Sequence, residues 1–583
     1  MRKTKVICTL GPATDRDDVL RKLIINGMNV GRLNFSHGSH EEHLARVVLF
    51  KKIRNELGVP AGLLLDTRGP EIRIKRFLNE RIELLSGSVF TFTADDVVGT
   101  DRIVSVTYKD FPAIVEKGTT ILLDDGLLSM KVIGKNGNEV SCEVVDGGPL
   151  SDSKKINVPG AARLLPFIDD VDREDIRFGV EHEFEFVAAS FVRDSDDVKE
   201  LRELIRSYGG ESIKIISKIE IREGVDAIDE IIRVSDGIMI ARGDMGVEIP
   251  FEELPSIQKS IIKKCYGAGK PVITETQMLD SMTRNPRPTR AEITDVANAI
   301  YDGTSAIMLS GETSVGKYPV ESLLTMLKIA VKTERDIDYV QRLKNAVVTV
   351  SRNVTNAISH ATCETAHTLD AASIISVTRS GHSANMVSKF RPACPIIATT
   401  ANVRVFNQLS LSWGVNPILV EKKESTDEIL LQAVEKAVES GMAHDGDLVV
   451  ITGGMISDMR GTTNMIKVHI VGDILLEGHG GAGGRAGGRA HVMAEDSDLS
   501  EFNEGEVLVI AESTDEVLAV IKSAAAIITE EELGESKAVI VGRALGIPVV
   551  AGAAGALEII KSGIAITVDG STGRVYSGLN KGD

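Results

Sequence analysis

Eight short apolar runs of strand length, at 5–10, 28–34, 62–66, 184–190, 213–219, 236–241, 271–276 and 305–309, constrain this 583-residue chain more than any other feature. Most lead into a segment with helical spacing of its apolar residues, such as DVLRKLIING after the first run and VKELRELIRSYG after the fourth. Strands alternating with helices build a parallel sheet with crossover helices, and eight such units predict a (β/α)8 TIM barrel over 1–70 and 166–340. One connection breaks the rhythm. About a hundred residues separate the third run from the fourth, and RIELLSGSVFTFT, RIVSVTY, TTILLDDGLLSMKV and NEVSCEVV alternate like antiparallel strands. A small β-barrel domain is therefore expected as an insertion at 71–165, since an unstructured loop of that length is improbable.

Beyond the barrel, the runs SIISVT, PIIATT, NPILV and DLVVITG alternate with helical patterns and predict a second α/β domain, with a parallel sheet, at 341–475. Seven glycines fall within the eleven residues 478–488, so 476–489 is expected to be a flexible linker. A further α/β domain is expected at 490–583. Residues 476–583 carry 17 acidic and 8 basic side chains, half of the chain's net charge of −18. Core-like runs such as EVLVIAE favour a folded, solvated acidic surface over a binding tail.

The same charge excess disfavours a nucleic-acid backbone binder. No apolar run approaches the roughly 18–20 residues of a membrane span, and the N-terminus, MRKTKVICTLGPATDRDD, has no secretion-signal pattern. Cys8, Cys142, Cys265, Cys363 and Cys394 lie at least 31 positions apart, a spacing of neither a zinc site nor a disulfide framework. Buried thiols in a reducing cytoplasm are expected.

Chemistry in such a barrel sits at the carboxyl ends of its strands. Strand two ends in Arg32, Asn34, Ser36 and His37; strand three in Asp66, Thr67, Glu71 and Arg73. Strand five ends in Lys218 and Glu220, strand six in Arg242 and Asp244, strand seven in Thr276, strand eight in SGET. Lys218 and Glu220 alternate onto one face, where charge is costly unless it binds something. A buried structural ion pair is the alternative. Asp244 adds a second carboxylate with no obvious partner except a cation, and two carboxylates with positions left for water and substrate oxygens suit Mg²⁺. Zinc is disfavoured, with no His or Cys beside them. Gly243-Asp244-Met245-Gly246 opens the following helical pattern, so its backbone N–H groups either face a small anion or form a plain strand-to-helix turn. Arg32 offers a charged fork for a phosphoryl group, and Lys218 a point charge for an oxyanion as it develops. No Walker A sequence is present, so phosphoryl transfer here would rest on metal and cations at the barrel top.

CTLGPAT, GRLNFSHGSHEEH, LLLDTRGPEIR, AASFVR, KIE, SDGIMIARGDMGVEIP, ETQMLDSMTRNPRPTRAEITDVANAIYDG and IMLSGET together closely resemble the pyruvate kinase family over about residues 1–475. The resemblance implies transfer of the phosphoryl group of phosphoenolpyruvate to ADP, giving pyruvate and ATP at the end of glycolysis. It assigns Arg32 to the substrate phosphate, Gly243, Asp244 and Thr276 to substrate binding, and Lys218 to transition-state stabilisation. Glu220 and Asp244 would ligate Mg²⁺ or Mn²⁺; Asn34, Ser36, Asp66 and Thr67 would ligate K⁺; Asn34, His37, Arg73 and Lys155 would contact the nucleotide. Thr276 would relay a proton to the enolate through water, a hydroxyl of ordinary acidity being a poor direct acid near neutral pH. Members with Glu at the place of Glu71 need K⁺, which implies K⁺ activation here.

Several residues depart from the family's usual pattern: Gly31 and Glu275 stand where Ala is common, Arg68 where Lys is common, and Ser305 where Asp is common. The segment 154–160 is one residue shorter than the usual K-K-G-V-N-x-P-G, which bears on the assignment of Lys155. In the 341–475 domain, Thr378, Arg379, Ser380, Gly381, His382 and Ser383 resemble the cradle where the family binds a phosphorylated allosteric effector, a sugar phosphate or AMP. An ordinary helix cap is the alternative. The terminal segment SKAVIVGRALGIPVVAG resembles the swivelling phosphohistidine domain of phosphoenolpyruvate synthase and pyruvate phosphate dikinase, with Lys537 in the histidine's place. An appendage without phosphotransfer is expected. The family also implies a homotetramer. Two rival readings are another enolate-handling barrel, an aldolase or lyase, and a catalytically silent metabolite-sensing scaffold.

Overall fold

The computed structural model describes residues 2–124, 126–160, 165–346, 353–454, 463–493 and 502–579. The chain forms two compact units, Met1–Asp338 with Val403–Val415, and Tyr339–Asn402 with Asn416–Asp583.

In the first unit, eight parallel strands close a barrel: β1 (Lys5–Thr9), β2 (Val30–Asn34), β3 (Gly62–Asp66), β4 (Phe186–Ala189), β5 (Lys214–Ile219), β6 (Gly237–Ala241), β7 (Val272–Glu275) and β8 (Ala306–Leu309). They neighbour one another in chain order, and β8 returns to β1 through Lys5 opposite Ala306. All eight expected runs are strands. Alternation sends one set of side chains outward to the helices and the other inward, where Ile7, Val30, Leu64, Ala188, Ile216, Met239, Ile273 and Met308 form an apolar plug of their own.

Several helices start where the sequence supplies a side-chain cap. The helix His40–Leu57 starts at Ser39, whose hydroxyl accepts from the Glu42 N–H while Glu42 reaches back to the Ser39 N–H, and it ends at Gly58 in the left-handed conformation. Its Phe50 lies so close to β2 that a Cβ on Gly31 would stand 2.8 Å from the ring. Between β3 and β4 the inserted segment forms a seven-stranded sheet and a two-stranded one, around a core containing Phe90, Phe92 and Phe111.

In the second unit, four strands at Val415–Leu419, Ile396–Thr400, Ser373–Val377 and Leu448–Gly453 carry a fifth, Met465–Ile470, which runs antiparallel to its neighbour; the sheet expected to be parallel is mixed. The remainder is an eight-stranded mixed sheet with helices at Asp515–Val520 and Lys537–Leu545.

The expected linker is a correction. His479–Ala482 and Arg485–Met493 are strands of the eight-stranded sheet, paired with Val549–Ala551 and with Ala565–Asp569 and Val507–Ile510 respectively. Its glycines serve close packing: a Cβ on Gly480 would lie 2.7 Å from the Gly570 carbonyl oxygen, and one on Gly488 2.6 Å from that of Gly505. Among the described residues, no helix is long and apolar enough to cross a membrane.

Candidate active site

Two residues beyond each member of the apolar plug, toward the carboxyl ends of the strands, the inward positions are Thr9, Arg32, Asp66, Ser190, Lys218, Ala241, Glu275 and Ser310. Seven of the eight are polar or charged, so the plug is roofed by a polar layer at the end where barrels do chemistry. Arg32, Asp66, Lys218 and Glu275 in that layer are all buried.

A continuous network joins them. Arg32 donates from Nε to Asp66 at 2.6 Å and from Nη1 to the Thr9 hydroxyl at 2.9 Å. Lys218 lies 3.1 Å from the other Asp66 oxygen and 2.9 Å from Glu220, and donates to the Ser190 hydroxyl at 3.0 Å. Ser190 in turn donates to the Thr67 carbonyl at 2.7 Å. Burial would lower the pKa of Lys218, but Asp66, Glu220 and Glu275 outweigh it and hold the ammonium charged, well above its usual value. Arg32 is likewise held up by Asp66 and Glu275 against burial. Burial opposes ionisation of Asp66, yet Lys218 and Arg32 bring it below the usual carboxylate range. The site therefore keeps two fixed cations in a dry setting.

Above this layer, Asp244 lies in a short helix, Arg242–Glu248, separate from the later Leu254–Ala268; the glycine turn opens its own seven-residue helix rather than the longer one. Asp244 was expected to lack a partner other than a cation. Instead Lys155, from the inserted segment, donates to it at 2.5 Å and stands 3.8 Å from Glu71. Glu71 also pairs with Arg73 at 2.7 Å, and Lys155 lies 4.2 Å from the centre of the Phe191 ring. Burial and the nearby Asp244 raise the pKa of Glu220, opposed by Lys218. Two mutually repelling carboxylates with all-oxygen donors fit a hard divalent cation, which would relieve that repulsion.

The remaining expected ligands cluster around the ends of β2 and β3. Asn34 Oδ1 accepts from the Ser36 N–H at 3.1 Å, and Thr67 Oγ1 from the Ser190 N–H at 3.1 Å. His37 is exposed over much of its surface, and partial desolvation of its ring together with the charge of Arg73 lowers its pKa. Thr276 has a left-handed backbone, φ 70°, followed by Gln277 at 57°. Consecutive non-glycine residues there are strained. Arg242 holds them, donating to the Thr276 carbonyl at 2.7 Å and the Glu275 carbonyl at 3.1 Å. A Cβ on Gly243 would lie 2.8 Å from Thr276 Cγ2, so glycine is what lets the two elements meet. Sequence reasoning passed over Ser190 and the pinning role of Arg242, although the strand-end strings AASFVR and ARGDMG contain both.

The effector residues form a separate turn in the second unit. Thr378 is buried and its hydroxyl accepts from the Gly381 N–H at 3.0 Å, while Arg379, Ser380 and His382 are exposed. Gly381, at φ 83°, precedes the helix His382–Ser388, and Ser383 bonds the Thr463 hydroxyl at 2.7 Å. Lys537, at the start of its helix, is exposed and pairs with Asp515 at 2.9 Å.

Family comparisons match residues 1–323 to the pyruvate kinase barrel domain, 356–469 to the pyruvate kinase alpha/beta domain, and 502–573 to the mobile domain of PEP-utilising enzymes. The chain is 48% identical over 582 residues to a pyruvate kinase of Bacillus licheniformis. It is 47% identical over 586 residues to one of Sporosarcina psychrophila, and 47% over 580 to one of Geobacillus stearothermophilus. Each alignment covers 99% of both chains.

Proposed function

The chain belongs to the pyruvate kinase family and transfers the phosphoryl group of phosphoenolpyruvate to ADP, and from that premise we propose that the barrel-top residues carry the reaction as follows. Arg32 binds the phosphoryl group, and the backbone at Gly243 and Asp244 together with the Thr276 hydroxyl orient the carboxylate. Asn34, His37, Arg73 and Lys155 hold the nucleotide. As the bond between phosphorus and the enol oxygen breaks and a new one forms to ADP, negative charge collects on the enolate oxygen. Lys218 meets that charge with an ammonium already fixed by Asp66, Glu220 and Ser190, so little reorganisation is needed. Protonation of the methylene carbon then yields pyruvate, with Thr276 relaying the proton through water.

The family is metal-dependent. We assign Mg²⁺ or Mn²⁺ to Glu220 and Asp244, where it would neutralise phosphoryl and enolate oxygens, and K⁺ to Asn34, Ser36, Asp66 and Thr67. Lys155 pairs with one oxygen of Asp244 in this structure, so a divalent cation there would share that carboxylate with the lysine or displace it. We further propose a cytoplasmic homotetramer divided at 1–70 with 166–340, 71–165, 341–475 and a terminal domain from 476, the last boundary moved because the glycine-rich stretch is sheet. The turn Thr378–Ser383 would bind a phosphorylated effector, a sugar phosphate or AMP.

The observation that carries the assignment is the buried Lys218 held between three oxygen partners. Lys218→Met is expected to lower turnover roughly 10²–10³-fold, the cost of removing one preorganised charge stabiliser. A near-native rate would refute the role.

A further inference from the structure

Beyond its electrostatic effect on Lys218 and Arg32, Glu275 is the one charged member of the buried polar layer to which the reaction above gives no step. Ile273 points into the plug, so Glu275, two residues on, points into the same interior at the level of Arg32, Asp66 and Lys218. Its residue exposure is 4%. Among the described residues, none donates a hydrogen bond to its carboxyl group or forms an ion pair with it. A buried carboxyl that makes no hydrogen bond or ion pair of its own calls for an explanation, even with Lys218 and Arg32 acting on it from nearby.

Its position on the ring supplies one. In a closed barrel of eight strands in chain order, β7 stands opposite β3. The paired Arg32, Asp66 and Lys218 line β2, β3 and β5, so Glu275 faces the same stretch of the barrel interior from the other side of the ring. We propose that Glu275 is a further catalytic residue, the acid that supplies the proton for the methylene carbon of the enolate. In that step the carboxyl O–H bond breaks as the new C–H bond forms, leaving pyruvate and a Glu275 carboxylate that regains its proton from water. Thr276, the next residue, passes the proton across any gap.

The electrostatics suit this work. Burial raises the carboxyl pKa to about 7, Lys218 and Arg32 pulling it down while Asp66 and Glu220 push it up. Of the other charged groups nearby, Arg242 is committed to the backbone of β7 and to Asp295, Asp244 to Lys155, and Glu312 to the N–H groups of Leu279 and Ser310. The inward residues of β1 and β8, Thr9, Met308 and Ser310, carry no charge. An acid with pKa near the working pH is a far better donor to carbon than a hydroxyl. The neutral form donates, and the carboxylate accepts a proton from pyruvate in the reverse direction.

The proposal rests on the site assigned above, and the test separates the two. Exchange of pyruvate methyl hydrogens in deuterated water, with Mg²⁺, K⁺ and ATP, is followed across pH 5.5–8.5 (about the range needed to bracket the acid). The native enzyme should show exchange rising with pH as the buried Glu275 carboxyl gives up its proton. Glu275→Gln should lose roughly 10²-fold and that pH limb, the size of a general acid–base contribution, and Glu275→Asp should recover part of both. Should Glu275→Gln fold poorly, Glu275→Ala, which removes the buried polar group altogether, takes its place. Exchange within about threefold of native with an unchanged limb in Gln or Ala overturns the proposal. Lys218→Met, assayed beside them, reports on the underlying site: a native rate there would instead fault the assignment of the site itself.

Discussion

Glu71 shows how one carboxylate serves two charges. It lies against Arg73 at 2.7 Å and Lys155 at 3.8 Å, both assigned to the nucleotide. A lysine there would supply the positive charge otherwise brought by K⁺, while repelling both neighbours. Glu71→Lys is therefore expected to make turnover independent of K⁺ when tetramethylammonium replaces it, with a raised KM for ADP; a variant that still requires K⁺ contradicts the explanation. The native enzyme should show the opposite, activity in K⁺ well above that in tetramethylammonium. At this scale the sequence was informative wherever a strand end carried charge, because two-residue alternation tells which side chains share a face. It did not show that Lys155 would reach Asp244, since that contact joins positions 89 apart and depends on how the inserted segment folds back.

At the scale of elements, β2 and the helix His40–Leu57 meet through a glycine. A methyl on Gly31 would stand 2.8 Å from Cε2 of Phe50 and 3.1 Å from the Leu10 side chain, both buried. Gly31→Ala should destabilise the barrel by about 1–3 kcal/mol, the usual cost of overpacking, measured by denaturant unfolding. Trimming the ring with Phe50→Leu in the same chain should recover part of the loss, and simple additivity of the two changes would contradict a direct clash. The barrel was legible because eight apolar strands alternate with segments of helical spacing, each local signal agreeing with the whole. The glycine-rich stretch was misread because composition counts the entropy of glycine and is silent about close approach. Gly480 and Gly488 sit where neighbouring backbone leaves no room for a side chain, a fact that belongs to the folded sheet.

On the scale of the whole molecule, the chain joins a pyruvate kinase barrel to a segment that matches the mobile domain of PEP-utilising enzymes. The terminal domain presents Lys537, paired with Asp515 at 2.9 Å, at the position to which the sequence resemblance assigns a histidine. Incubation with labelled phosphoenolpyruvate should leave no acid-labile phosphoryl group on the protein, and a stable label on this domain would contradict its reading as an appendage. The central claim is that the barrel-top network passes a phosphoryl group to ADP. It is tested most directly by following pyruvate and ATP together from phosphoenolpyruvate, with and without ADP, in Mg²⁺ and K⁺. Equal amounts of both products, formed only when ADP is present, are the predicted result; pyruvate formed without ADP, or no product in the presence of effector, would contradict it.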